Sequence, residues 1–195
     1  MVKQASFQSG VITLEEPSFK LDNLNSYSQS FTSSYSSSQC QQKHNYTVDS
    51  SVTEYIFLSL DNLKCFEIVD RQYESKGVIF DSCIAIEPSN PAFPTHSGSI
   101  VLMSSSRKGL LEVSFVNPVN FVSAFVTSSQ RLVLSAYDAS RQLLNREILP
   151  SGNLANSDSG LAPNASLSVS AKNIHYVTFH AMKGQFTVDD LSFCY

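Results

Sequence analysis

Tryptophan is absent from this chain of 195 residues, and charge is scarce: Asp, Glu, Lys and Arg together make up 15%. Without Trp, any stacking of a ring-shaped ligand falls to Tyr or Phe. With so little charge, the surface must be covered by Ser, Thr, Asn and Gln, which suits exposed sheet faces better than helices. No run approaches 18 consecutive apolar residues, which excludes a membrane-spanning helix. A net charge of −4 gives no electrostatic reason to follow a phosphate backbone, so nucleic acid is not an expected partner. Met1 to Gly10 lacks the apolar stretch of a secretory signal. There is no Gly-x-Ser-x-Gly, His-Glu-x-x-His or Gly-rich phosphate loop. No nucleophile–base pair can be named, and the chain is read as non-enzymatic.

What is present is apolar alternation. Residues 1–54 differ from the rest. Ser fills eight of the thirteen positions from Ser26 to Ser38, interleaved with Tyr27, Phe31 and Tyr35. This segment has too little apolar density for a core of its own, although Val11–Leu14 reads as a short strand. Residues 55–195 read as one β-domain. Leu111, Val113 and Phe115 alternate, as do Val122, Ala124 and Val126, then Leu132, Leu134 and Ala136, then Val177, Phe179 and Ala181. Turn residues punctuate them at Asn117-Pro118, Asp138-Ala139-Ser140, Pro150-Ser151-Gly152 and Lys183-Gly184. Many short period-two segments without helices between them must pair largely antiparallel. An aligned β-sandwich of eight or nine strands fits, with an up-and-down barrel as its competitor.

Several segments carry a family resemblance. The opening Ser59-Leu60-Asp61-Asn62-Leu63, with Tyr73 to Phe80, resembles the start of bacterial jelly-roll β-sandwich domains found in exported PEP-CTERM-type proteins. Phe115-Val116-Asn117-Pro118-Val119-Asn120-Phe121, Ala136-Tyr137-Asp138-Ala139 and Phe186-Thr187-Val188-Asp189-Asp190-Leu191-Ser192-Phe193 resemble its middle and end. The likeness covers roughly residues 56 to 195 and falls mostly on core and turn positions. Residues 1–54 have no counterpart in it, Leu60 stands where Phe is commoner, and no sorting helix follows Tyr195. The resemblance implies an antiparallel two-sheet jelly roll. Related jelly rolls include carbohydrate-binding modules that hold a structural calcium between the first and last strands. An extracellular or cell-envelope location is the expectation that accompanies it.

Four cysteines, Cys40, Cys65, Cys83 and Cys194, permit two disulfides. Cys65 and Cys83 flank the Tyr73–Phe80 segment and are expected to pair. Since jelly-roll topology sets the last strand beside the first, Cys40–Cys194 is the second expected bridge.

Phe186 and Val188 share a face, and so do Leu191 and Phe193, but the two pairs are out of phase. One extra residue at Asp189-Asp190, a β-bulge, restores the phase. With Asp61 ending the first core strand, Asp189 and Asp190 are the expected metal ligands, and Ca2+ is the ion their oxygens would suit. Tyr73 and Tyr137 are the expected sugar-stacking residues, and His96, in the Pro-rich loop Glu87 to Gly98, is the third expected ligand-binding residue. The function that follows is a non-catalytic binding module for carbohydrate or a protein partner. The alternative is a structural or assembly protein, a homo-oligomer in which the N-terminal segment contacts neighbouring subunits.

Overall fold

The computed structural model describes residues 55–195. The expected strand at Val11–Leu14, the Ser-rich segment and the Cys40–Cys194 bridge rest on residues outside that range. Ten strands follow in chain order: β1 Tyr55–Phe57, β2 Ile68–Val69, β3 Val78–Asp81, β4 Cys83–Ile86, β5 Val101–Ser104, β6 Leu110–Ser128, β7 Leu132–Tyr137, β8 Leu143–Leu149, β9 Ala165–His180 and β10 Phe186–Cys194. Among the described residues the helical content is one 3-10 turn, Glu74–Lys76, and no helix is long and apolar enough to cross a membrane. Every pairing is antiparallel.

The ladders join into one hydrogen-bonded sheet with the order β2-β4-β5-β10-β6-β9-β7-β8, with β1 on β10 and β3 on β6. The two halves expected of a sandwich are therefore continuous, because β6 and β9 belong to both. The first part of β6 pairs with β3 and with the end of β9. Its last part pairs with β10 and with the start of β9. Between them the β6–β9 register jumps from Ser114↔Tyr176 to Val119↔Ile174 and then to Phe121↔Ser170. β6 carries the surplus residues at the first jump and β9 at the second, so both strands turn together.

Pro118, read from sequence as a strand break, lies at this corner inside β6. A proline there removes no ladder hydrogen bond, because the residues between Ser114 and Val119 have no β9 partner. The inward positions of β6 also change phase across the corner. Leu111, Val113 and Phe115 are buried before it, and Val122, Ala124 and Val126 after it. Both sets belong to one core with Leu132, Leu134, Ala136, Val177 and Phe179, and Phe115 meets Phe193 of β10 with ring centroids 5.2 Å apart.

Cys65 and Cys83 are both free thiols, which corrects the expected bridge. Val69 pairs with Cys83 and Ile68 with Ile84, so the same register sets Cys65 level with Glu87, whose N–H donates to its Sγ at 3.3 Å. The two cysteines are thus four residues apart along the strands, about 13 Å, roughly twice what a disulfide spans. Burial pushes the Cys83 thiol pKa far upward, which keeps it protonated and unreactive. This pair therefore gives no support to an oxidising compartment. Alkylation of the denatured chain without reductant should label both Cys65 and Cys83. Labelling that appears only after reduction would show that they are bridged. Leu134→Ala, which empties a fully buried site, should cost about 2–5 kcal/mol in urea unfolding.

Candidate functional site

The two outer faces of the folded sheet differ. On the half built around β10, both faces of the strand are buried except at Asp190, because loops lie over the outer one. The loop 87–98 is one of them. His96 stacks flat on Phe125 of β6, with centroids 3.6 Å apart and planes 8° from parallel.

Beneath this loop lies the bulge. The β10–β6 register runs Asp189↔Phe125 and then Ser192↔Ser123, so one extra residue sits on β10 between them. Asp190 takes the left-handed backbone that accommodates it, with φ 46°. The bulge aims both carboxylates at the loop. Asp189 Oδ2 accepts the backbone N–H of His96 at 2.7 Å and of Ser97 at 3.2 Å. Its Oδ1 accepts the N–H of Asp190 at 2.8 Å. Asp190 Oδ2 meets His96 Nδ1 at 2.6 Å, and its Oδ1 accepts the Ser97 hydroxyl at 2.5 Å. Burial raises the Asp189 pKa, the three N–H donors pull it down, and the Asp190 charge adds to the rise.

Asp61 meets the same loop from another side. Its Oδ1 would lie 2.7 Å from a Cβ placed on Gly98, a contact the exposed carboxylate can relieve by turning, and the φ of 56° is what favours glycine there. Its Oδ2 accepts the Ser59 hydroxyl at 2.9 Å.

The structure thus gathers His96, Asp61, Asp189 and Asp190 around one loop, but the chemistry is that of a clasp. All four oxygens of Asp189 and Asp190 are already hydrogen-bonded within the protein, whereas calcium requires six to eight oxygens turned toward it. Among the described residues, no three His, Cys, Asp or Glu side chains are placed to hold a metal. The residues do not fit a calcium ion in this arrangement. The Ser97 hydroxyl is committed to Asp190 rather than to the imidazole, so His96, Ser97 and Asp190 do not form an activated nucleophile. Tyr73 is a core residue at 6% exposure, with its hydroxyl donating to Ser59 O at 2.8 Å. It offers no face to a ligand.

The open surface is the outer face of the other half. Three rows of paired side chains cross it: Ser114, Tyr176, Tyr137 and Leu143; Glu112, Thr178, Ser135 and Arg146; Leu110, His180, Val133 and Ile148. A cavity of about 340 Å3 lies among Leu110, Ser135, Tyr137, Arg141, Thr178 and His180. Arg141 reaches it from the β7–β8 turn. Asp138 Oδ1 accepts the N–H of Ser140 and of Gln142, which holds the turn and leaves Arg141 left-handed at φ 63°. The guanidinium then folds back over the sheet. It donates to both oxygens of Glu112, at 2.7 and 2.8 Å, and its Cζ lies 3.9 Å from the Tyr176 ring centroid. The bonds to Glu112 raise its pKa further. Tyr137, half-buried beside this pair, is the one expected ligand residue on the open face. Arg141 is missed by sequence reading, and the signal available is only that it closes the turn begun by Asp138.

Asp189→Ala removes the acceptor of three backbone N–H groups and should cost about 1–3 kcal/mol, with proteolysis in the 87–98 loop increasing. The melting temperature of the wild-type chain should be the same with and without EDTA; a fall reversed by calcium would restore the expected ion.

No family model matches the chain, and no curated protein matches it. Among solved structures it is similar to a DUF4465 family protein from Bacteroides caccae, at 9% identity and a TM-score of 0.46 over 72% of this chain and 98% of that one. It is also similar to the carbohydrate-binding module TmCBM61 in complex with β-1,4-galactotriose, at 12% identity and a TM-score of 0.36 over 63% of this chain and 94% of that one. A third likeness is to the α-L-arabinofuranosidase MgGH51, at 11% identity and a TM-score of 0.36 over 66% of this chain and 25% of that one.

Proposed function

We propose that residues 55–195 form a non-catalytic binding module whose ligand is carbohydrate, held on the open face around Tyr137. The observation that carries this reading is the Arg141–Glu112 pair fixed beside that ring. A pyranose offers an apolar face to an aromatic plane and hydroxyls to planar hydrogen-bonding groups. Tyr137 supplies the first. Arg141, held by two bonds to Glu112 and by its contact with Tyr176, supplies donors whose positions are set before the ligand arrives, which lowers the entropic cost of binding. Ser135 and Thr178 add hydroxyls at the floor. The same geometry argues against hydrolysis. A glycosidase sets two carboxyl groups across the scissile bond, whereas Glu112 is the one carboxylate in these rows and both its oxygens are bonded to Arg141. Glu67 and Glu74 brace local turns through Lys64, Gln72 and Arg71.

Affinity electrophoresis of the full chain in gels cast with soluble polysaccharides tests this reading. Retardation by at least one polysaccharide is expected, and Tyr137→Ala should weaken it about tenfold, the equivalent of roughly 1–2 kcal/mol of stacking. Arg141→Ala should weaken it as well, with the urea midpoint little changed. Retardation by no polysaccharide, or undiminished binding by both variants, would remove the open face as a sugar site.

A further inference from the structure

The cation-bearing loops converge at one end of the domain. Three connections between strands meet there: residues 105–109 between β5 and β6, 129–131 between β6 and β7, and 181–185 between β9 and β10. They are tied together by Ala181 N–H to Gly109 O at 3.0 Å, Ser129 N–H to Gln185 O at 2.9 Å, and Gln185 N–H to the Ser129 hydroxyl at 2.9 Å. These loops carry Arg107, Lys108, Arg131 and Lys183 and no acidic residue, in a chain whose net charge is −4. All four cations are exposed, and none has an acidic partner among the described residues. Asp81 ends β3 beside the turn that Ser105 N–H reaches through Ser82 O, and its carboxylate accepts the Ser82 hydroxyl.

The end is concave as well as basic. A cavity of about 410 Å3 lies between the first and third loops, among Ser104, Ser106, Arg107, Lys183, Gly184 and Gln185. Gly109 and Lys183 both hold left-handed backbone, at φ 63° and 59°. A side chain on Gly109 would meet Ala181 O at 2.2 Å, so the close approach of the two loops depends on that glycine. Four like charges held together without counter-charge cost stability; an anion in the cavity offsets that cost.

The open face ends at these loops. Leu110 and His180, the row nearest this end, follow Gly109 and precede Ala181 directly. A polymer lying over Tyr137 and running along β9 would pass His180 and enter the basic end after about 13 Å, the length of four strand residues.

We propose that the basic end binds the carboxylate or sulfate of an acidic polysaccharide whose neighbouring sugars lie on the open face. Arg107 and Lys183 donate to the anion across the cavity, and Lys108 and Arg131 raise the local potential. The inference rests on the carbohydrate reading of the Tyr137 face. A membrane surface is the competing anion. It fits less well, because the one large apolar side chain projecting from these loops is Met182 at 73% exposure, and the cations line a concavity rather than a flat rim.

The test uses the full chain with polygalacturonate, dextran sulfate and uncharged dextran, and separately with phosphatidylserine vesicles. Binding to at least one acidic polymer is expected, with little to dextran. Raising NaCl from about 0.05 to about 0.5 M should weaken it severalfold. The double variant Arg107→Ala/Lys183→Ala should weaken it at least about tenfold, while Arg107→Lys/Lys183→Arg retains most of it and melts as the wild type does. Binding to a neutral polysaccharide that depends on Tyr137, with indifference to the acidic ones, would overturn this inference and leave the carbohydrate reading standing. Binding to an acidic polymer that the double variant abolishes and Tyr137→Ala leaves unchanged would keep the basic end and remove the face. Binding to the vesicles alone, or no loss in the double variant, would overturn the inference.

Discussion

The fold depends on the β6–β9 ladder and on its bend. These two strands are hydrogen-bonded on both sides of the corner, so neither half of the sheet can form in its final register without the other. The bend requires residues that have no partner in the ladder, and the chain supplies them unequally. β6 carries its surplus between Ser114 and Val119, where Pro118 needs no donor. β9 carries its own between Ile174 and Ser170, where Asn173 adopts φ 61°. Asn is among the few residues that tolerate that conformation at low cost. One consequence is that the outer faces of the two halves are separate surfaces, and they can be dressed differently.

The difference between those faces follows from where the irregularities lie. The bulge in β10 turns Asp189 and Asp190 outward on one half, and the loop 87–98 lies over them. Three of their four oxygens meet His96 and Ser97 of the loop, so that half carries a covered, polar-latched surface. The other half has no such bulge in its central strands. Its covering element is a single side chain, Arg141, delivered by a tight turn and held by Glu112 and Tyr176. A cavity of about 340 Å3 lies beside the arginine, and one of about 200 Å3 lies along the loop among Ile86, Pro88, Phe93 and Thr187.

Much of this was legible in the sequence, for identifiable reasons. The all-β antiparallel character came from period-two alternation, which is the direct imprint of one buried face per strand. The bulge at Asp189-Asp190 was readable because two apolar pairs out of phase on one strand leave few other solutions. The corner in β6 was misread as a strand end. Local signals at Asn117-Pro118 are the same for a break and for a bend, and only the pairing on both sides tells them apart. The disulfide failed for a related reason. Cys65 and Cys83 are close in sequence and lie on neighbouring segments, but a bond depends on register, which spacing does not reveal. Tyr73 and Tyr137 carry the same side chain and were indistinguishable as candidates. Tyr73, in the connection before β3, is buried in the core, whereas Tyr137 stands on β7 at the open face.

Arg141 and Glu112 show the limit most clearly. They are 29 residues apart, on different elements, and neither position carries a motif. Their meeting requires the β7–β9–β6 order, which sets Ser135 beside Thr178 and Thr178 beside Glu112, and a left-handed residue that throws the arginine back across all three strands. The same topology gathers Arg107, Arg131 and Lys183 from loops that share no sequence pattern. In a chain poor in charge, opposite charges that would screen them are also few, so the position of each cation matters more than the total. A net charge of −4 gives no reason to track a phosphate backbone, but a sum over the chain carries no information about one end of it. The basic end is a property of the bend in β6, which brings the connections at its two ends, 105–109 and 129–131, to the same 181–185 connection.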